Sequence, residues 1–174
     1  MQEITIHIPF DRQELIRTQN LVWKFMNRKF VKSNAIYTVI VISLALVVLR
    51  PKTLNQDPVS TAFVSGSLFY FLYSWVGFYE RRVRFFKRVK NLAGNDVLNA
   101  RGCSFIFSDY GIEYSDAEKL YKHSWPLFGR FVVIDDTILI LLKESSVVLY
   151  TLSKKELGES NYMAVMGVLK EKLG

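Results

Sequence analysis

The sequence predicts a membrane α+β protein: a two-helix transmembrane hairpin with a cytoplasmic antiparallel β domain closed by a C-terminal helix. Three observations predict it. Two uncharged apolar stretches of spanning length lie close together, basic residues crowd their outer flanks, and from Cys103 onward the pattern changes to short strand-type runs divided by turns. With 174 residues, 50% hydrophobic and 22% charged, the chain holds one domain's worth of sequence at most, which excludes a multi-domain enzyme. The uneven spread of charge excludes a plain soluble domain, a disordered tail and a coiled coil. One cysteine excludes an intramolecular disulfide framework, and with only two histidines most self-contained zinc sites go too.

Residues 1–32 read as a cytoplasmic strand and amphipathic helix. Ile4, Ile6, Ile8 and Phe10 alternate with Thr5, His7 and Pro9, the pattern of a half-buried strand. Pro9 restricts that strand to an edge or an end. His7 falls on the face opposite the isoleucines, which makes it an exposed or edge residue rather than a sensor or ligand. Asp11 and Glu14 read as a capping box that opens a helix. Leu15, Val22, Phe25, Met26 and Phe30 recur at helical spacing, so this helix leads into the first span. Two placements fit it: flat on the cytoplasmic surface, or packed on the C-terminal domain.

The hairpin covers residues 33–79. Ser33 to Leu49 is 17 residues without a charge, and Val59 to Tyr79 is 21. A bilayer core of about 30 Å needs about 20 apolar residues, which the second stretch meets outright. Phe30 and Val31 extend the first if Lys32 snorkels. A cleaved signal peptide is not expected, because the chain starts Met-Gln-Glu and the apolar run begins far in. Residues 1–32 hold six Lys and Arg, the loop 50–58 holds two (Arg50 and Lys52), and residues 80–101 hold seven. The positive-inside rule therefore puts both termini in the cytoplasm, the loop outside, and the protein in the cell (inner) membrane as a multi-pass protein. The loop is short, with Pro51 and Pro58 at its ends, so the helices are antiparallel neighbours. Trp75 and Tyr79 suit a cytoplasmic aromatic belt. Ala62 and Gly66 form a small-xxx-small pair that lets another helix approach, either within the hairpin against Thr38 or Ala45 or from a second copy. Neither span contains an acid, a base or a histidine, which disfavours transport by this chain alone.

The segment 80–101 is a basic juxtamembrane helix or linker. Arg81, Arg82, Arg84, Lys87, Arg88 and Lys90 fall within eleven residues. Such a cluster attracts anionic lipid by about 1 kcal/mol per basic residue. Two readings stand: a specific headgroup site at these six residues, or an ordinary flank that fixes topology. Nucleic acid is not an expected partner. The net charge of +7 is concentrated beside the membrane, while residues 102–174 hold eight bases and ten acids.

Residues 102–174 form the β domain. Ser104–Phe107 is a strand ending at Asp109-Tyr110-Gly111. Ile112–Tyr114 turns at Ser115-Asp116, and Leu120–Trp125 is stopped by Pro126. Arg130–Ile134 turns at Asp135-Asp136 into Thr137–Leu142, an almost wholly apolar and central strand. Val147–Leu152 follows, and Ser153 caps a helix to about Leu173 with Tyr162, Val165, Met166, Leu169 and Leu173 on one face. Gly158 and Gly167 weaken that helix, which leaves its start open. Six short strands and a helix make a small curved antiparallel sheet covered by the helix.

Chemistry-bearing motifs are sparse. There is no phosphate-binding Gly-rich loop, GxSxG, HExxH or CxxC. Cys103 would need His123 as its base, and no acid is clearly placed to orient the pair, so a structural thiol is expected. Asp135-Asp136 and Asp116 with Glu118 are acidic pairs, and pairs at hairpin tips are usually turn formers. Trp125 reads as core rather than as a ligand platform. No catalytic residue, metal site or cofactor is expected.

The layout resembles the YcxB-like membrane protein family. The residues that carry the likeness are Phe105-Ile-Phe-Ser-Asp-Tyr-Gly-Ile112, Trp125 after a short strand, Asp135-Asp136 before Ile138-Leu-Ile-Leu141, and Val147-Val-Leu149 leading to Ser153-Lys-Lys-Glu-Leu157. The chain departs from the family pattern at Pro126, where a polar residue is usual, and at Ser153, where a proline is usual. The resemblance covers nearly the whole chain and implies a cytoplasmic domain similar to pleckstrin-homology barrels, to which Ile4–Phe10 adds a strand or does not. It implies no activity. The expected function is a non-enzymatic binding or assembly module on an integral membrane protein, with the lipid bilayer and a protein partner as its contacts. The alternative is a structural homo-oligomer or a small accessory subunit of a membrane complex.

Overall fold

A computed structural model describes residues 3–48, 58–94 and 102–174. The loop expected at 50–58 lies outside the described residues apart from Pro58, and so does Arg101. The elements in chain order are β1 (Ile4–Ile8), α1 (Arg12–Val48), α2 (Pro58–Ala93), β2 (Cys103–Phe107), β3 (Gly111–Ser115), β4 (Leu120–Ser124), a single 3-10 turn (Trp125–Leu127), β5 (Phe128–Ile134), β6 (Thr137–Leu142), β7 (Val148–Ser153) and α3 (Lys154–Leu173). They divide into two units, Met1–Met26 with Arg88–Gly174 and Asn27–Lys87.

The helical unit follows from the periodicity of its apolar residues. Phe30, Asn34, Tyr37, Val41 and Ala45 recur every three or four residues and so share one face of α1. Phe78 stacks on Phe30 at 5.2 Å, Tyr70 meets Tyr37 edge-on at 5.9 Å, and Ser74 Oγ donates to Asn34 Oδ1 at 3.5 Å. Rising numbers on α1 meet falling numbers on α2, so the pair is antiparallel. Val41 (2% exposed) and Val64 (5%) are buried. Ala45 and Phe78 are buried as well, whereas Ile36, Val39, Ile40 and Leu46 on α1 and Phe63, Phe69, Leu72 and Val76 on α2 are exposed. Only 6% and 11% of the most apolar stretches of the two helices are buried. Both helices are long and apolar enough to cross a membrane. The basic segment continues α2 without a break as far as Ala93.

The sheet unit holds two antiparallel sheets, ordered β1-β2-β3-β4 and β5-β6-β7. The N-terminal strand does join the C-terminal ones: Ile4 pairs with Phe107, Ile6 with Phe105 and Ile8 with Cys103. Its alternation is the expected one, with Ile6 and Ile8 buried and Thr5 and His7 exposed. Gly111 is required where β3 starts, because a Cβ there would stand 1.9 Å from the His123 carbonyl oxygen of β4. The strand after Tyr121 ends at Ser124, one residue early, since Trp125-Pro126-Leu127 forms the 3-10 turn with proline in its opening positions. β5 then begins at Phe128 rather than Arg130, and the register slips between those two residues. Gly129 at that slip lies against Lys143 Cα.

Asp135 and Asp136 both have positive φ, 46° and 57°, as a two-residue hairpin of the primed type requires. Their carbonyls are used. Arg17 Nη2 donates to Asp135 O at 2.7 Å, and the Lys154 N–H donates to Asp136 O at 2.9 Å. The tip therefore holds the starts of both α1 and α3. Ser153 caps α3 in a full capping box with Glu156. Gly158, at φ 72°, kinks the helix after its first turn. Tyr162, Val165, Val168 and Leu169 beyond the kink are buried, with Met166 and Leu173 packed partly against the core.

β6 is central and buried on both faces. Ile138 and Ile140 enter the main core with Phe107, Ile112, Leu152 and Val165. Leu139 and Leu141 form a second core with Val22 of α1. The amphipathic start of α1 thus packs on the β domain. Asp11 Oδ1 accepts from the Gln13 and Glu14 N–H groups as an N-cap. Glu14 is buried at 2% exposure and pairs with Arg17 and Lys155.

Truncating Leu139 to Ala removes a fully buried side chain between two layers and is expected to cost about 2–5 kcal/mol. Val133→Ala, at an exposed position, is expected to cost under about 1 kcal/mol. Chemical unfolding of the full chain in detergent, followed by tryptophan fluorescence, checks the contrast. Equal losses at the two positions would contradict the double burial of β6.

Candidate functional site

A cavity of about 750 Å³ opens in the sheet unit. The end of β1 and the start of α1 form one side of it, through Ile8, Pro9, Phe10 and Leu15. Strands β2, β3, β4 and β7 form the rest, with Leu92 and Glu156 also lining it.

Strand register assembles its aromatic wall. Phe105 stands opposite Tyr114, and Tyr114 opposite Tyr121, so one row of rings crosses three strands. The Phe105 and Tyr114 centroids are 5.1 Å apart, and those of Tyr114 and Tyr121 are 6.2 Å apart. His123, two residues along β4, stacks on Tyr121 at 6.0 Å. Tyr150 reaches in from the other sheet, 5.3 Å from Phe105 and 5.8 Å from His123. All five residues line the cavity.

The polar tips of these rings are matched. His123 Nδ1 and Tyr150 Oη are hydrogen-bonded at 2.7 Å. Burial, with a smaller effect of Tyr121, pushes the Tyr150 phenol up to about 12, so it keeps its proton. The Tyr114 hydroxyl donates to Asp116 Oδ2 at 2.9 Å. Burial and that bond raise Tyr114 well above the usual phenol range. Burial works against the Asp116 carboxylate, but the Glu118 N–H, the Tyr114 hydroxyl and the Lys119 N–H together hold it below its ordinary value. Glu156 moves the other way. Its burial, with Glu14 and Asp11 nearby, outweighs the Ser153 hydrogen bonds and raises it.

Cys103 and His123 both line the cavity, but the thiol is not primed. Burial first, then the carboxyls of Glu156 and Asp116, push Cys103 up to about 11, and His123 Nδ1 is engaged by Tyr150. Among the described residues no group of three or more His, Cys, Asp or Glu is placed to hold a metal ion.

The remaining residues singled out by sequence lie elsewhere. Trp125 is buried, and its Nε1–H donates to Ser108 O at 3.0 Å, which is a core anchor. His7 is exposed on β1. Arg81, Arg82, Arg84, Lys87, Arg88 and Lys90 are all exposed on α2. Arg81 lies over the Phe30 ring at 5.2 Å, Arg82 over Phe86 at 5.9 Å, and Arg84 meets Glu80 at 3.6 Å. Ala62 and Gly66 are exposed, and a Cβ added at 66 would meet nothing within 4 Å. Sequence reasoning missed the cavity itself. The available signal was polar-tipped aromatics at Tyr114, Tyr121, His123 and Tyr150 on three short strands of one domain.

A thiol pushed up to about 11 alkylates slowly near neutrality. Iodoacetamide labelling of Cys103 in the folded chain is expected to keep climbing between pH 9 and pH 11, where an ordinary thiol of 9.0 would level off. Mass spectrometry of timed samples reads it, and a plateau near pH 9 would contradict the burial. Searches for related proteins found no match among family models, curated proteins or solved structures.

Proposed function

We propose that this chain is an integral inner-membrane protein that displays a pleckstrin-homology-like domain at the cytoplasmic face, as a binding or assembly module. The observation that carries the reading is the outward apolar surface of the two long helices, next in sequence to a domain with its own core and an aromatic cavity. Three further features support it. Lys and Arg are concentrated before the first span and after the second. A four-stranded and a three-stranded antiparallel sheet with a C-terminal helix are the elements a pleckstrin-homology-like reading expects. The motifs at 105–112, 125 and 135–141 resemble the YcxB-like family. In this reading α2 carries its six exposed bases at the cytoplasmic headgroup level, where anionic lipid is their natural counter-charge.

Single cysteines introduced into a Cys103→Ser background test the topology. A cysteine at Lys52 is expected to react with an impermeant maleimide in intact cells. A cysteine at Ser146 is expected to react only after permeabilisation, and the chain to stay in the membrane pellet at alkaline pH. The reverse labelling, or release by carbonate, would overturn the proposal.

The open face at Gly66 favours a second reading, a structural homo-oligomer or a small accessory subunit held through α2. That reading expects Gly66→Leu to reduce crosslinked higher-order species several-fold without loss of membrane insertion. Unchanged crosslinking would remove it.

A further inference from the structure

The cavity of the sheet unit has an unequal set of charges. Asp116, Glu118 and Glu156 line it against one ammonium, Lys119, and the imidazole of His123. Asp11 also lines it, but Lys155 Nζ pairs with that carboxylate at 2.9 Å. An anion entering the cavity would meet three carboxyl groups and one ammonium. A neutral apolar molecule would strip water from those carboxyls and return nothing.

The rest of the wall is suited to a diffuse positive charge. Tyr114 and Tyr121 bring accessible electron-rich rings to the wall, with Phe105 and Tyr150 buried beside them, and such rings attract a cation placed over their faces. The phenols of Tyr114 and Tyr150 are already committed, to Asp116 and His123. With those two hydroxyls taken, Tyr114 and Tyr150 offer π surface, and the charge beside them is carboxylate. A quaternary ammonium matches that offer, since it has no N–H groups to satisfy. Ile8, Pro9, Phe10, Leu15 and Leu149 supply apolar contact for a substituent on the same molecule. A volume of about 750 Å³ accommodates such a ligand.

We propose that the cavity between β2, β3, β4 and β7 binds a small organic cation of the quaternary-ammonium type, with its charge against the tyrosine rings and the Asp116–Glu118 rim and its apolar substituent against β1 and α1. The proposal rests on the reading of the sheet unit as a binding module and names the class of ligand that module takes.

The test uses the full chain in maltoside detergent and two probes of the same shape, acetylcholine and its uncharged isostere 3,3-dimethylbutyl acetate. Calorimetric titration is expected to give saturable binding of the cation at least about ten-fold tighter than the isostere. Tyr121 is 44% exposed, so its substitution spares the core. Tyr121→Leu keeps apolar area but loses the ring, and is expected to weaken the cation about five-fold or more. Tyr121→Phe is expected to keep the affinity, and Glu118→Gln to weaken it about two- to three-fold. Equal affinity for the two probes, no saturable binding of the cation, or an unchanged affinity in Tyr121→Leu would overturn the proposal. Any of these three failures with the maleimide topology intact would discard the ligand class and leave the membrane-anchored module standing.

Discussion

Strand β6 lies between two apolar surfaces, and that double burial joins the two ends of the sequence. Ile138 and Ile140 face the main core while Leu139 and Leu141 face Val22 of α1, and all four leucines and isoleucines are fully buried. A strand covered on both sides needs a second layer, and here the layer is the start of α1, encoded before the apolar helices. β1 adds a second bond of the same kind by pairing with β2 from beyond those helices. The sheet unit is therefore discontinuous, and its core cannot close until both helices have been made. Closing so long an interval costs chain entropy, and buried apolar area is the term large enough to offset it. The surface ion pair of Asp11 with Lys155 adds little energy by comparison. It orients α1 against α3, as the Arg17 bond to Asp135 O orients it against the β5–β6 hairpin.

Much of this was legible in sequence, because the signals were local. Charge-free runs marked the helices, and the Asp135-Asp136 and Asp109-Tyr110-Gly111 clusters marked turns. Ser153 marked the cap of α3, and the structure adds Glu156 as its capping-box partner. The missing parts were non-local. Alternation identified Ile4–Ile8 as a strand but said nothing of its partner, since any antiparallel neighbour satisfies period two. The same helical spacing at Leu15, Val22 and Phe25 fits a membrane surface and a protein surface equally well. Only the apolar outer face of β6 at Leu139 and Leu141 distinguishes them, and it lies far along the chain. The start of β5 was misplaced for a different reason. Gly129 admits a bulge, and two residues before Arg130 enter the strand.

The cavity was illegible because periodicity tells which side chains turn inward, not whether they fill the space. Tyr114, Tyr121, His123 and Tyr150 occupy inward or edge positions where Val, Ile or Leu would pack without a polar atom to satisfy. Each buried polar tip then needs a partner, and the structure supplies Asp116 for Tyr114 and His123 for Tyr150. These matched pairs hold the rings as a wall in place of a close-packed core. Trp125 is an inward residue of the opposite kind, outside the cavity lining and tied to Ser108 O. That contrast separates the surroundings of the cavity from the core proper.

Net charge is the most misleading whole-chain quantity here. The value of +7 reads as a preference for anions, yet residues 102–174 carry two more acids than bases. Charges in solution act over about 8 Å at physiological salt, so the residues that line a cavity dominate the potential inside it. The cavity is lined by Asp116, Glu118 and Glu156 with Lys119, His123 and the aromatic rings. Along α2 the exposed side chains from Arg81 to Lys90 are mostly basic. One sequence thus carries two electrostatic preferences of opposite sign. They have to be read residue by residue, because the sum describes neither.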